Sequence, residues 1–310
     1  MKADVKDILI KKAHEIGFCD IRFARIEKLS NEFRNFEEWL SENRNADMHY
    51  LNRYKDLRND PANILPSAKT MIVTATNYYI PYRHTGRESY GKISRYSWGN
   101  DYHKVIKKML KKTVNLIKET VPDSESRSFV DSGPVLEKQW AVRSGMGWQG
   151  KNGLIIHPDF GTWIFLGVIL TSIDIKPDKP FTKDLCKDCT KCLEACPTKA
   201  IIAPKVIDAR KCIAYHTIET KPEYQIPDEI SENLNSWLFG CDICQDVCPW
   251  NKKAKETNIK EFYPDKNSIE WNLDDIINMN EEDFSGAFSK NPVKRAGLKG
   301  LKRNALAIKK

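Results

Sequence analysis

The sequence predicts a mixed fold, α/β or α+β, with an N-terminal α/β domain, a small cysteine-rich domain and a short helical C-terminal tail. Up to about residue 175, apolar residues alternate between helical and strand spacing, which is typical of an α/β domain. Eight of the nine cysteines then fall between Cys186 and Cys248. The stretch 290–310 is basic, and its apolar residues are spaced for one helical face. We place the domain boundaries at 1–177, 178–255 and 256–310.

A helix–strand unit, a second helix and a buried strand are predicted at the start of the chain. Apolar residues at 5–16 recur at helical spacing, and Gly17 follows as a natural stop. Residues 18–23 then have the pattern of a strand, and residues 33–40 that of a second helix. Residues 71–79 are β-branched and aromatic, so they predict a buried strand.

The rest of the first domain continues this alternation. Residues 101–120 predict a long amphipathic helix whose lysines point mostly outward. A short strand end is predicted at 128–131 and a helix at 135–144. The stretches 153–157 and 162–171 predict two strands joined by a turn, because Pro-Asp-Phe-Gly separates them.

The bulk composition suits a protein with a real core and an anionic partner. Of the 310 residues, 41% are hydrophobic, and the formal net charge is +8. No apolar signal core follows Met1, and the longest apolar stretch, Trp163–Leu170, is too short to span a bilayer. We therefore expect a soluble, cytoplasmic protein that does not enter a membrane. Clustered cysteines in a reducing compartment are typical metal ligands.

After a Pro- and Lys-rich connector at 175–183, the first cysteines have the spacing of bacterial ferredoxins. Cys186, Cys189 and Cys192 are separated by two residues each, and Cys196 follows after three more, with a proline behind it. In this motif three thiolates hold one four-iron cube, and the fourth cysteine ligates the other cluster.

A second run has the same motif without its first cysteine. Leu238 stands at that first position, and Cys212 is the obvious substitute. The exchange of the fourth ligand then predicts two 4Fe–4S clusters. The predicted ligand sets are Cys186, Cys189, Cys192 and Cys248 for one cluster, and Cys196, Cys212, Cys241 and Cys244 for the other.

Zinc binding and simple electron carriage are the alternatives. CxxC pairs also ligate zinc in ribbon domains, although three cysteines at two-residue gaps closed by Cys-Pro are much rarer there. Cys19 stands alone, and we expect a small buried hydrophobe at that position. A ferredoxin-type carrier would leave the first 175 residues unexplained, so those residues should hold a second redox centre or a substrate.

Two stretches of the first domain are candidates for that site. Asp131 lies at a predicted strand end before Ser-Gly-Pro, where α/β proteins place functional groups, although the pattern alone favours a helix cap. Residues 144–153 are rich in glycine, which permits close approach to a flat or bulky ligand; the alternative is an ordinary turn-rich hairpin. Their GxGxxG is not a dinucleotide-binding fingerprint, because it precedes a strand.

Together with the cysteines, several segments resemble epoxyqueuosine reductases, the cobalamin-dependent enzymes of the last step of queuosine synthesis in tRNA. The resemblance covers nearly the whole chain. It is carried by DLRNDP (56–61), SRYSWGNDYH (94–103), VDSGPVLEK (130–138), GMGWQGKN (145–152), GTWIFLGVILT (161–171), KCIAY (211–215) and FGCDICQDVCPWN (239–251). Reductive dehalogenases, which act on organohalides, are distant relatives and the alternative enzyme class. The VDSGP context of the aspartate favours the epoxide reductase.

The resemblance implies a base-off cobalamin in the first domain, beside one cluster. It makes Asp131 a cofactor contact and the proton donor, with a pKa raised by burial against the corrin. Lys138 stands where many members carry arginine. The other residues that the resemblance assigns to cofactor binding are Arg58, Ser94, Ile155, Leu166, Ile169 and Asp242.

The implied partners are the anticodon stem-loop of a tRNA that carries epoxyqueuosine, and an external electron donor. The protein itself is expected to be a monomer. Basic stretches at 104–112 and 290–310 are candidate phosphate contacts, with solvated helix faces as the alternative. Residues 292–310 resemble the first helix of the repeats with which many members grip tRNA.

Overall fold

The structure, a computed structural model, describes residues 4–265 and 269–310. Residues 1–3 and 266–268, which belong to the first and third predicted domains, lie outside the described residues. The strands are β1 (Asp20–Arg25), β2 (Thr70–Asn77), β3 (Tyr90–Ile93), β4 (Ser126–Phe129), β5 (Trp148–Gln149), β6 (Ile155–Ile156), β7 (Ile164–Thr171), β8 (Ile201–Ala203), β9 (Val206–Ile207), β10 (Trp237–Phe239) and β11 (Glu270–Asn272). The α-helices are α1 (Val5–Ile16), α2 (Ser30–Ser41), α3 (Lys55–Asn59), α4 (Tyr102–Thr120), α5 (Glu137–Arg143), α6 (Lys191–Ala195), α7 (Ile213–Ile218), α8 (Asp228–Ser231), α9 (Ile243–Asp246), α10 (Leu273–Asn278), α11 (Glu281–Phe288) and α12 (Gly297–Lys309). Within the described part of the chain, no helix has the length and apolar character needed to cross a membrane.

The central sheet has four antiparallel strands in the order β1–β2–β7–β4. β2 pairs with β7 along its whole length, from Thr70 opposite Thr171 to Asn77 opposite Ile164. Every residue of β2 is buried, as its β-branched run predicts. The predicted mixture of helices and strands is confirmed, and the antiparallel pairing makes this domain α+β in character.

The two faces of this sheet build two separate cores. Along β7, Phe165 and Ile169 pack with residues of α1 and α4, whereas Val168 and Leu170 pack with residues of α2 and α5. This alternation follows from the two-residue period of a strand. A ligand held on the α2 and α5 side therefore faces the even-numbered side chains of β7.

A second sheet joins all three predicted domains. β3 from the first domain pairs in parallel with β10 from the cysteine-rich part and antiparallel with β11 from the C-terminal part. Gly91 in β3 is required, because a Cβ there would lie 2.7 Å from the Leu238 Cβ. Leu298, Leu301 and Ala305 of α12 belong to the same core, as the spacing of the tail predicts. The three parts thus share a core, and their exact boundaries stay a prediction.

Most predicted elements of the first domain are confirmed within a few residues. α1 ends at Ile16, and Gly17 closes it with a φ of 117° in the left-handed region. α4 occupies the residues predicted for the long helix, with Asp101 as its N-cap. The two strands predicted at 153–157 and 162–171 do not pair with each other, because β6 pairs with β5 and β7 lies between β2 and β4.

The cysteine-rich part consists of short elements joined by loops. Residues 172–190 contain neither helix nor strand, which agrees with the predicted connector. Cys212 directly precedes α7, and Cys244 lies within α9. Short turns of this kind allow thiols that are distant in sequence to approach a common centre.

Several charges of the basic C-terminal stretch are paired within the protein. Lys294 lies 2.9 Å from the Asp101 carboxylate, and Arg295 lies 2.7 Å from that of Glu219. Arg303 is buried, so it is not available for the phosphate contacts expected of 290–310. Its guanidinium donates to the main-chain carbonyls of His216, Thr220, Lys221 and Tyr224.

We expect Arg303→Ala to lower the free energy of unfolding by about 2–4 kcal/mol, because several buried carbonyls lose their donor. Lys299→Ala, on the exposed face of the same helix, is the matched control and should change it by less than about 0.5 kcal/mol. The measurement is urea-induced unfolding followed by circular dichroism. Equal unfolding midpoints for the two variants would contradict the structural role of Arg303.

Candidate functional site

Four cysteines surround one cavity in the cysteine-rich part. Cys186, Cys189, Cys192 and Cys248 line a cavity of about 200 Å³. Burial, and then the neighbouring thiols of the other three, raise the pKa of Cys192 to about 11. The structure therefore brings together the residues of the first predicted ligand set, including Cys248 from the second run.

The other four cysteines form an adjacent group. Burial raises the pKa of Cys241, and the nearby thiols of Cys212 and Cys196 raise it further. Burial acts in the same way on Cys244, which also lies near Cys241, Cys212 and Cys192. Since Cys192 belongs to the first group, the two groups are neighbours. Among the residues that the structure describes, no three His, Cys, Asp or Glu side chains are arranged to hold a single metal ion.

A buried carboxylate anchors the second cysteine group to the first domain. Asp242, next to Cys241, is fully buried and accepts hydrogen bonds from the Ser94 hydroxyl and the Arg95 main-chain amide. Burial raises the pKa of Asp242. Gly240 permits this approach, because a Cβ there would lie 2.5 Å from the Ser94 Cβ. Two predicted cofactor residues, Ser94 and Asp242, therefore contact each other.

Asp131 lies just beyond β4 at a larger cavity. Its main chain has a φ of 57°, in the left-handed region, and its amide donates to Glu137 Oε1 at 2.7 Å. Its Oδ2 accepts from the Tyr102 hydroxyl at 2.9 Å and lies 3.1 Å from His103 Nε2. The side chain is 52% exposed, so a ligand in the cavity can reach it. The helix-cap alternative is wrong, because the N-cap of α5 is Leu136.

His103 holds a proton beside Asp131. Its Nδ1 lies 2.9 Å from Asp101 Oδ1, so both ring nitrogens face carboxylates, and only the imidazolium donates to both. Burial lowers the pKa of His103, but the hydrogen bonds to Asp101 and Asp131 outweigh burial and raise it to about 9. Burial raises the pKa of Asp131, but the hydrogen bonds from His103 and Tyr102 lower it overall. The described residues thus lower the Asp131 pKa that we expected to be raised, and they place the proton on His103.

Two further charged groups surround Asp131. Burial, and then the charge of Asp131, raise the pKa of Glu137 to about 8, so this carboxyl is mostly protonated at neutral pH. The guanidinium of Arg295 is near enough to contribute to the lowered pKa of Asp131. Because Arg295 is also bound to Glu219, it links the C-terminal part to the edge of this site.

The cavity at Asp131 has a volume of about 950 Å³ and reaches the second cysteine group. Asp131, Lys138 and Cys212 are all part of its lining. Nearby, the buried Arg58 donates from Nη1 to the Gly133 carbonyl at 3.3 Å, while its Nε has no partner among the described residues. A buried donor without a partner fits a polar group of a bound ligand. The size and the donor therefore fit a large cofactor with polar side chains.

Two family models match the parts of the chain that contain these two sites. Residues 58–132 match the family model described as epoxyqueuosine reductase QueG, DUF1730, and residues 185–251 match the 4Fe-4S double cluster binding domain. The epoxyqueuosine reductase of Atelocyanobacterium thalassa is 44% identical over 299 residues, which cover 96% of each chain. The enzyme of Cellulophaga algicola is 39% identical and also covers 96% of each chain. The chain belongs to the epoxyqueuosine reductase family.

Solved structures of this family are similar over nearly the whole chain. The epoxyqueuosine reductase of Streptococcus thermophilus superposes with a TM-score of 0.89 at 30% identity, covering 98% of this chain and 80% of that one. A crystal structure of an epoxyqueuosine reductase with an epoxyqueuosine-modified tRNA-Tyr stem loop gives the same TM-score, identity and coverage. The predicted fold class and enzyme family are therefore confirmed.

The apolar residues predicted to contact the cofactor divide between the two faces of the sheet. Ile155 and Leu166 lie in the core on the α2 and α5 side. Ile169 is fully buried in the core on the α1 and α4 side. Because neighbouring odd and even residues of a strand point to opposite faces, Leu166 and Ile169 do not present their side chains to one ligand. Their roles in this epoxyqueuosine reductase family member stay predictions.

In the glycine-rich stretch at 144–153, main-chain atoms of the protein fill the space beside Gly145 and Gly147. A Cβ on Gly145 would lie 2.4 Å from the Lys179 carbonyl oxygen, and one on Gly147 would lie 2.2 Å from that of Ile156. These glycines therefore permit close packing of the main chain, whereas the sequence suggested room for a ligand. Gly153, at the end of the same stretch, does line the cavity at Asp131.

Sequence analysis missed the residues that control the proton at Asp131. Tyr102 and His103 were part of a motif typical of epoxyqueuosine reductases, but nothing in their spacing linked them to residue 131. Glu137 lies six residues after Asp131, a spacing that carries no recognised catalytic pattern. The available signal was a Tyr-His pair directly after the helix-capping Asp101.

We expect Cys248→Ser and Cys212→Ser each to lower the iron content from about eight to about four atoms per chain, because each removes a ligand of a different cluster. Cys19→Ser is the matched control, since its thiol donates to the Ala75 carbonyl at 3.3 Å and a hydroxyl can do the same. Iron, sulfide and zinc are measured on protein reconstituted under anaerobic conditions. Equal iron in Cys248→Ser and Cys19→Ser would contradict the ligand set, and zinc in place of iron would support the ribbon alternative.

Proposed function

We propose that this protein reduces epoxyqueuosine to queuosine in tRNA, using cobalamin in the cavity at Asp131 and electrons relayed through two 4Fe–4S clusters. The observation that carries the proposal is that a single cavity is lined by Asp131 and by Cys212. Asp131 is bound to a protonated imidazole, and Cys212 belongs to the second cysteine group. A proton donor and a cluster ligand therefore line the same cavity.

The proposed reaction consumes both protons and electrons. Removing an epoxide oxygen as water, to leave an alkene, takes two electrons and two protons. When bound, cobalamin would supply a strongly reducing, nucleophilic cobalt centre, which is the chemistry that reduction of an epoxide needs. The task left to the protein is to hold the cofactor and the nucleotide, exclude water and deliver protons to the departing oxygen.

His103 and Asp131 together supply the proton. The imidazolium of His103 lies 3.1 Å from the Asp131 carboxylate, which is half exposed to the cavity. A proton passed from His103 through Asp131 neutralises the developing alkoxide, which would otherwise be a costly buried anion. Tyr102 fixes the same carboxylate oxygen by its hydroxyl, and the Glu137 carboxyl holds the main chain of Asp131.

The cofactor contacts follow from the cavity and the resemblance. Arg58 offers its unpartnered Nε to a polar side chain of the corrinoid. Ser94 and Asp242 support the cofactor indirectly, because the Ser94 hydroxyl donates to the Asp242 carboxylate, which also accepts from the Arg95 main-chain amide. Ile155 and Leu166 contribute apolar surface on the α2 and α5 side, and Ile169 supports the sheet from the opposite core.

Electrons reach the cavity through the two cysteine groups. Cys186, Cys189, Cys192 and Cys248 would hold one 4Fe–4S cluster, to which an external donor would supply electrons. Cys196, Cys212, Cys241 and Cys244 would hold the other cluster, and Cys212 also lines the cavity at Asp131. The proximity of Cys192 to Cys244 supports direct transfer between the two clusters.

The tRNA partner agrees with the net charge of +8 and with the stem-loop bound to a solved relative. The protein acts as a monomer. It acts in the cytoplasm, because its tRNA substrate is made there. The modified base of an anticodon loop is unpaired and is free to enter a pocket. Family membership favours this substrate over an organohalide.

We expect reduced, cluster-loaded protein to form queuosine from epoxyqueuosine-containing tRNA only when cobalamin is present. Asp131→Ala should lower turnover by roughly 10²- to 10⁴-fold, because the proton donor is lost. Asp159→Ala, an exposed acid outside the cavity, is the matched control and should keep full turnover. Queuosine is quantified by nucleoside mass spectrometry. No product from protein that contains both clusters and cobalamin would refute the proposed reaction.

We expect turnover to fall as the pH rises through about 9, because His103 holds its proton below that pKa and loses it above. His103→Gln should slow the reaction and remove this alkaline limb. Asp101→Asn should move the limb to lower pH, because the imidazolium loses one of its two carboxylate partners. His14→Gln, on α1, is the control and should keep the original profile. An unchanged limb in His103→Gln would assign the titration to another group.

A further inference from the structure

A groove beside α4 concentrates positive charge outside the site described above. Five exposed lysines line it, and we call this surface the lysine groove: Lys104, Lys108, Lys112, Lys260 and Lys290. The groove has a volume of about 740 Å³ and a floor of apolar side chains that includes Met109 and Ile259. Glu261 is the acidic residue in its lining, so the groove carries a large positive excess.

No carboxylate in the described part of the chain is bound to the lysines of the groove. None of its five ammonium groups has an ion-pair or hydrogen-bond partner within 4–265 and 269–310. The C-terminal tail differs, because Lys294 and Arg295 are bound to carboxylates and Arg303 is buried. Of the two basic stretches that the sequence offered for phosphate binding, the one on α4 therefore keeps its charges free.

The lysines are held at a regular spacing on a fixed frame. Lys104, Lys108 and Lys112 follow one another at four-residue intervals, which places them about 6 Å apart along the helix axis. Like charges at this interval repel each other and destabilise the helix, and a bound polyanion relieves that repulsion. Residues 258–261, which also line the groove, are bound close to the start of α4, because the Asn100 main-chain amide donates to the Glu261 carbonyl at 2.7 Å.

The lysine groove starts beside the catalytic residues. Tyr102 and His103 form the first turn of α4 and bind Asp131, and Lys104 follows directly. From there the charged row runs along the helix for roughly 12 Å. None of the residues that line the groove belongs to the cysteine-rich part at 178–255.

We propose that the lysine groove binds the phosphate backbone of the tRNA substrate, along the strand that leads away from the modified nucleotide. This inference rests on the proposed function. A row of exposed, separated cations matches a chain of phosphates, whereas a compact anion would engage only one or two of them. An acidic electron-donor protein would instead dock near the cysteines, from which the groove is separate.

The test compares two triple variants on the same helix. The groove variant is Lys104→Gln/Lys108→Gln/Lys112→Gln. The matched control is Lys107→Gln/Lys111→Gln/Lys118→Gln, which removes the same charge from exposed lysines of α4 that do not line the groove. The probe is a fluorescein-labelled anticodon stem-loop RNA without epoxyqueuosine, and its binding to cluster-loaded protein is measured by anisotropy over a range of salt concentrations.

The groove variant should bind this RNA at least about tenfold more weakly at low salt, and the slope of log K against log salt should become shallower by about 2 to 3. The control variant should change affinity by less than about threefold, through the loss of net charge alone. Equal losses in the two variants would show a general charge effect and overturn the proposal. An unchanged salt slope in the groove variant would overturn it as well. Circular dichroism and iron content verify that both variants are folded.

Turnover separates this inference from the reaction on which it rests. With epoxyqueuosine-containing tRNA, the groove variant should raise KM for tRNA more than it lowers kcat, because its lysines do not contact Asp131. If no form of the protein makes queuosine but the groove variant alone loses RNA affinity, the proposed reaction is refuted and RNA binding by the lysine groove is supported. If queuosine forms with the same KM in both variants, the reaction stands and the groove is refuted.

Discussion

The way in which the cysteine-rich part docks on the central sheet depends on a buried polar network around Asp242. This carboxylate is fully buried 3.7 Å from the Arg95 guanidinium, and it accepts hydrogen bonds from Ser94 and Arg95 of the first domain. Nearby, Gln245 accepts a hydrogen bond from the Thr162 hydroxyl at 3.0 Å, and Asn251 donates to the same hydroxyl at 2.8 Å. A buried charge or amide without partners costs several kcal/mol, roughly 3–5 when one partner of an ion pair is lost, so other docking arrangements are disfavoured. Specific docking of this kind is what sets the cysteines at a fixed distance from the cavity.

The consequence of this docking is that a cysteine of the second group and Asp131 line one cavity. Cys212 arrives from the cysteine-rich part and Asp131 from the end of β4. On the proton side, two carboxylates flank His103 and keep it charged across the neutral range, while the same pairing keeps Asp131 ionised. Lys294 neutralises the outer carboxylate, Asp101, so the C-terminal part also tunes the site electrostatically. Hydrogen bonding outweighs desolvation here, which explains why the proton rests on the imidazole and not on the aspartate.

Local patterns were sufficient to predict much of the architecture. The helix at 102–120 follows from its apolar spacing, and the stop at Gly17 follows from the conformational freedom of glycine. The grouping of Cys248 with the first cysteine run follows from the ferredoxin exchange rule, which encodes a long-range contact in a short motif. Pairing between strands was less predictable, because the residue pattern of β6 and β7 predicts a strand but does not indicate which strand each pairs with. Choice of partner depends on which faces are covered by helices.

By itself, the sequence determined the cysteine groups, the order of the elements and the family, because each is written in residues that lie close together or at fixed intervals. Only the tertiary structure decided which charges are free and which protons are held. Arg303 and Lys104 both carry a positive charge, yet one is buried against four carbonyls and the other is exposed without a partner in the described part of the chain. Likewise, His103 keeps its proton because the carboxylates at positions 101 and 131 stabilise the imidazolium. Burial and pairing set these properties through Coulomb interactions that depend on distance in space, which sequence separation does not encode.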